Sequence, residues 1–77
     1  MRITVKTSEG RHTIQAEPNH TINDLKQKVH HRTGIPPAEQ RFLFNNGQLG
    51  DDSTLLSENH IQDGSELSLA RKRRLVA

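Results

Sequence analysis

A two-layer α+β domain, with one principal helix laid across one face of a mixed β-sheet, is the architecture this 77-residue sequence predicts. Three observations predict it. Residues 1–7 and 12–17 alternate between apolar and polar with period two, as half-buried strands do. A capped segment with helical spacing follows between Thr21 and Gly34. The remaining residues are short alternating stretches punctuated by turn-forming Asn, Asp, Gly and Pro.

In the first strand Met1, Ile3 and Val5 share one face, and Arg2, Thr4 and Lys6 the other. Ser8-Glu9-Gly10 makes a tight turn into a second strand, where His12, Ile14 and Ala16 face inward. Pro18 ends that strand because it has no N–H for a ladder. Thr21 is the N-cap of the helix, and Asp24 three residues on forms a capping box with it. Ile22, Leu25 and Val29 build the buried stripe, while Lys26, Lys28 and Arg32 lie off it. Gly34 closes the helix, and Ile35-Pro36-Pro37 cannot continue it. Arg41-Phe42-Leu43-Phe44 is a strand with both phenylalanines on one face and Leu43 on the other. Asn45-Asn46-Gly47 turns it back into Gln48-Leu49. Asp51-Asp52-Ser53-Thr54-Leu55 is expected to start a short helical turn, with the aspartates as its cap. Asp63-Gly64 leads into the last strand, with Leu67 and Leu69 inward and Ser68 and Ala70 outward.

Composition narrows the functional classes. The chain has no cysteine, so neither a disulfide nor a thiolate metal site is available. Only 30% of residues are apolar and 3% aromatic, so the core is small and aliphatic. No stretch approaches the roughly 20 apolar residues of a membrane span. Through Ala70, seven Lys and Arg oppose nine Asp and Glu, a net of −2; Arg71, Lys72, Arg73 and Arg74 then carry the total to +2. The basic character therefore sits in the tail, and nucleic acid is expected to bind through that tail or not at all.

Five histidines raise the question of a metal site. His30 and His31 are adjacent on the helix, whereas paired ligands want i, i+4 spacing. His12 falls on the inward face of its strand, and His20 and His60 fall in loops. Asp51-Asp52 lacks the glycine and glutamate offsets of a calcium loop. There is no glycine-rich phosphate loop and no serine–histidine–acid spacing, so no cofactor and no catalysis are expected.

At Gly34-Ile35-Pro36-Pro37-Ala38-Glu39-Gln40-Arg41-Phe42-Leu43-Phe44 the pattern resembles the ubiquitin family closely. The likeness extends from residues 1–7 through the helix to Gly-Gln-Leu-Gly-Asp-Asp at 47–52 and the final strand, about residues 1–74. One residue is missing in the first hairpin and one is added near Leu55-Leu56. The resemblance implies the β-grasp fold over residues 1–70, followed by a basic tail or linker over 71–77. It also implies three functional features to look for.

The first is a carboxyl-terminal Gly-Gly for conjugation; none of the five glycines here is adjacent to another, and the matching register holds bulky Leu75 and Val76. The second is lysines for chain building. Gly47 and Asp63 stand at two linkage positions and Arg11 and Arg32 at two more, although Lys6, Lys26 and Lys28 match. The third is an apolar surface patch. By resemblance its centre is Leu43, with Ser68 and Ala70 on the last strand, Gly47 beside it, Arg41 and Gln48 at its rim, and Ser8 near its loop position.

The sequence is thus expected to be a monomeric, non-conjugated, protein-binding module, the amino-terminal domain of a larger cytoplasmic or nuclear protein. By resemblance its partners would be proteasomal receptor subunits, ubiquitin-interacting helices or ubiquitin-fold-binding segregases. A nuclear RNA- or DNA-associated domain using the basic tail is the alternative, and a covalent modifier a third.

Overall fold

A computed structural model describes residues 1–45, 47–49 and 51–71. Strand β1 (Arg2–Thr7) and strand β2 (Gly10–Gln15) form a hairpin over the two-residue turn Ser8-Glu9. Gly10 sits at φ 137°, a conformation open to glycine, and Thr7 Oγ1 steadies the turn by accepting from Glu9 N and donating to Gly10 O. Strands β3 (Gln40–Phe44), β4 (Gly47–Gln48) and β5 (Glu66–Arg71) complete one sheet in the order β2-β1-β5-β3-β4. β1 and β5 are parallel and the other pairs antiparallel, so the sheet is mixed as expected.

Helix α1 (Ile22–Thr33) crosses one face. Its first four amides would be unsatisfied in an isolated helix, and here each has an acceptor. Thr21 N and Asp24 N exchange bonds with the opposite side chain in a full capping box (3.0 and 3.1 Å). Ile22 N donates to Thr54 O and Asn23 N to Asp52 O, each at 3.0 Å. At the other end Gly34 takes φ 79° and returns its N–H to His30 O at 2.8 Å.

Ile22, Leu25 and Val29 are fully buried against Ile3, Val5, Phe42 and Leu67 of the sheet, with Ile14 and Ala16 at the β2 side. Leu56 and Ile61 close the core from the loop before β5. Gln40 is the buried polar residue among those described. Its Nε2 donates to Lys26 O (2.9 Å) and Ile35 O (2.8 Å), tying the start of β3 to the helix and to the segment after it.

The expected helical turn at Asp51–Leu55 is displaced. Asp51 Oδ1 accepts from Ser53 N and Oγ, and Thr54 N bonds back to Asp51 O, so these residues form a local turn instead. Leu55 then makes an isolated bridge to Thr21, and the 3-10 turn comes at Ser57–Asn59, where Glu58 Oε1 accepts from Leu55 N. Asp52, read as a cap, instead meets Lys26 Nζ at 2.8 Å. A second 3-10 turn, Pro37–Glu39, follows Pro36 and has no counterpart in the sequence reading, which stopped at the prolines. His30 and His31 do approach one another: their rings lie 6.1 Å apart, stacked, on the exposed side of α1.

Candidate functional site

The face of the sheet away from α1 is built by the outward residues of five strands. The register lays them in rows. Leu43 of β3 stands opposite both Ser68 of β5 and Gln48 of β4. Ser68 in turn is opposite Lys6 of β1, and Lys6 opposite Arg11 of β2. One row therefore runs Gln48, Leu43, Ser68, Lys6, Arg11 across the whole sheet. Two residues along, Arg41 is opposite Ala70.

Leu43 is the exposed large hydrophobic residue among those described, at 40% of its full accessibility. Strand alternation puts it there: Phe42 is fully buried beneath and Phe44 partly so. Ser68, Gln48 and Arg41 are exposed around it and Ala70 is half-buried. The surface joins Leu43 to small or polar neighbours, so the apolar area on offer is modest, at about 25 cal/mol per Å² buried. Gly47 pairs with Phe44, outside the Leu43 row. Its backbone is not among the glycines at positive φ, and a Cβ there would meet Phe44 O at 3.6 Å, so a side chain would fit.

Ser8 lies in the hairpin turn. With Leu69, Ala70 and Ile35 it lines a cleft of about 400 Å³ between the hairpin and the end of α1, which His12 and Arg32 also border. Leu43 is not in that cleft.

The β1–β2 side of the outer face is charged and paired. Glu66 receives Lys6 Nζ at 3.0 Å and Arg11 Nη1 at 3.7 Å. The hydrogen bond and charge of Lys6, with the charge of Arg11, hold the Glu66 carboxyl below the ordinary carboxylate range. These two bases are thereby committed within the domain.

Arg71, assigned to the basic tail, is the last residue of β5. It is opposite Gln40 in the ladder, and its Nε donates to Glu39 Oε1 at 2.9 Å. Lys72, Arg73 and Arg74 lie outside the described residues. Neither the Glu39–Arg71 pair nor the grip of Lys6 and Arg11 on Glu66 was foreseen from sequence. Strand pairing of β5 with both β1 and β3 creates them, and spacing along the chain does not carry that information.

Among the described residues no three His, Cys, Asp or Glu come together as a metal site, and no helix is long and apolar enough to cross a membrane.

The comparisons with known proteins agree with this geometry. The chain is 41% identical over 70 residues to the ubiquitin-like protein NEDD8 of Dictyostelium discoideum, covering 90% of each. It is 36% identical over 70 residues to ubiquitin-like protein 1 of Schizosaccharomyces pombe, covering 90% of this chain and 88% of that one. It is also 30% identical over 73 residues to the ubiquitin domain-containing protein DSK2 of Saccharomyces cerevisiae, matching 95% of this chain but 19% of the longer protein. The ubiquitin family model matches residues 3–74, and the chain belongs to the ubiquitin family.

Proposed function

We propose that this domain is a protein-docking module of the ubiquitin and proteasome pathway that engages its partners through Leu43. The observation that carries the reading is the position of Leu43: exposed, centred between Ser68 and Gln48, and one row from Arg41 and Ala70. A partner helix or loop would cover Leu43 and Ala70, with Arg41 and Gln48 bonding at the rim. The partners that fit are a ubiquitin-interacting helix, a proteasomal receptor subunit or a ubiquitin-fold-binding domain, in the cytoplasm or the nucleus. The match to a segment that makes up 19% of a ubiquitin domain-containing protein supports a domain acting within a longer chain.

The test is capture of a ubiquitin-interacting helix by the domain and by its Leu43→Asp variant. Loss of capture with an unchanged circular-dichroism spectrum supports the site. Undiminished capture by Leu43→Asp removes Leu43 from it.

A second reading is favoured by the names of two relatives, a NEDD8 and a NEDD8-like protein RUB3 of Arabidopsis thaliana. It is covalent attachment to other proteins. That role needs a slim Gly-Gly terminus, and these 77 residues contain no adjacent glycines. Incubation with the activating enzymes and ATP separates the two: a thioester-linked adduct supports the modifier, and none supports the docking module.

A further inference from the structure

The turn that leads into α1 is closed by a histidine ring. His20 N donates to Glu17 O at 3.0 Å, and Glu17 N donates in return to His20 Nδ1, also at 3.0 Å. Pro18 between them has no N–H and a fixed φ, which suits the first corner of such a turn. The return bond sets a condition on the ring. Nδ1 accepts only while it is unprotonated, so the closed turn holds His20 neutral, with its proton on Nε2. An Asn or Asp closes the same kind of turn with a side-chain oxygen and sets no such condition near neutral pH.

The turn is tied into the fold at two further points. Leu56 N donates to His20 O at 2.8 Å and Ser57 N to Pro18 O at 3.1 Å. His20 itself is half-buried. The carboxylates of the adjoining elements are Glu17, Glu58 and Asp24. Glu17 belongs to the turn and is exposed. Glu58, on the 3-10 turn, has Oε1 engaged with Leu55 N at 2.8 Å. Asp24, on α1, gives Oδ2 to Thr21 N, and its Oδ1 accepts no bond among the described residues. The bonds from Thr21 lower the Asp24 carboxyl first, and the charges of His20 and Lys28 add to that.

We propose that His20 is a proton-operated latch at the entry to α1. Neutral, it accepts from Glu17 N and closes the turn. When it takes a proton from solvent, it presents an N–H where it had a lone pair. The Glu17 bond then breaks, and the ring turns to donate to the free Oδ1 of Asp24. Acid thus releases the backbone of residues 17–19 and adds a charged donor to the helix cap. Water takes up the exposed Glu17 amide, and a bond at Asp24 replaces the one at Glu17. The exchange reorganises the turn with little effect on global stability.

The test follows the ¹⁵N-labelled domain from about pH 8 to about pH 5, the range in which histidine changes charge. Imidazole ¹⁵N shifts are expected to show Nε2–H and a bare Nδ1 at the upper end. The Glu17 amide is expected to move with the His20 midpoint. Its protection should fall about fivefold, the weight of one net hydrogen bond, once the intrinsic pH dependence of exchange is divided out. His20→Asn keeps an acceptor that does not titrate, so its Glu17 amide should stay protected at both ends of the range. His20→Ala should leave that amide unprotected at both ends. Asp24→Asn keeps an oxygen for Thr21 N but removes the charge, so the His20 midpoint should move to lower pH. Dispersion of the remaining spectrum reports that each variant is folded.

The proposal is overturned if the Glu17 amide is indifferent to His20 protonation, or if Nδ1 carries the proton above the midpoint. It is overturned if His20→Asn titrates like the parent, since a carboxylate would then be the responding group. An unmoved midpoint in Asp24→Asn equally overturns it, because the charged ring would not be held at Asp24.

Discussion

Lys6 Nζ lies 3.0 Å from Glu66 Oε2, a parallel-strand contact that closes the β1–β5 part of the outer face with paired charge. Leu43 is left to the β3 side, where among the described residues its neighbours Arg41 and Gln48 enter no ion pair. The same contact belongs to a set of three carboxylates held below their ordinary range. Asp24 is lowered by its hydrogen bonds with Thr21, Asp51 by its bonds from Ser53, and Glu66 by Lys6 and then Arg11. A depressed folded-state pKa adds stability that is fully present above the ordinary carboxylate value near 4 and disappears as the pH falls through the folded value. The urea midpoint should therefore be flat from neutral pH down to about 5 and fall below about 4. A variant carrying Asp24→Asn and Glu66→Gln should start lower and fall less steeply.

Thr21 governs the entry to α1 through both halves of the capping box. Thr21→Ala leaves the amide of Asp24 without its acceptor and is expected to cost about 1 kcal/mol in urea unfolding. Thr21→Ser keeps the hydroxyl and should recover most of that loss. Equal destabilisation by both substitutions would mean that the methyl group, not the cap, supplies the stability.

Gln40 joins β3 to the helix at Lys26 O and to the segment after it at Ile35 O, through two hydrogen bonds from a buried side chain. Gln40→Ala removes both donors and opens a void, and about 2–4 kcal/mol of stability should be lost. Because Gln40 points inward and Leu43 outward, the variant should still bind partners at temperatures where it remains folded. A loss of binding without a loss of stability would show that Gln40 shapes the surface as well as the core.

Much of this fold was legible because local rules and burial agreed. Ile22, Leu25, Val29 and Leu67 were read as inward from spacing, and Ile3, Val5 and Phe42 as sharing one face of their strands; all are fully buried. Thr21, Asp24 and Gly34 carry cap chemistry that acts over three or four residues, so the helix ends were readable too. What failed was short and irregular. The turn at Asp51–Thr54 and the 3-10 turn at Ser57–Asn59 are set by backbone bonds to His20, Pro18 and the helix N-terminus, which spacing cannot express. Strand order was likewise invisible to periodicity and came from the family resemblance. For the surface, alternation put Leu43, Ser68 and Ala70 on one face. The register that sets Leu43 between Ser68 and Gln48, and leaves Gly47 beside Phe44, came only with the structure.

Docking through Leu43 is tested most directly by titrating the ¹⁵N-labelled domain with a ubiquitin-interacting helix and mapping the amides that move. Shifts centred on Leu43, Ser68, Gln48 and Ala70, and abolished by Leu43→Asp while the remaining spectrum stays dispersed, are the expected result. Shifts that leave this row untouched, or that persist in Leu43→Asp, would contradict it.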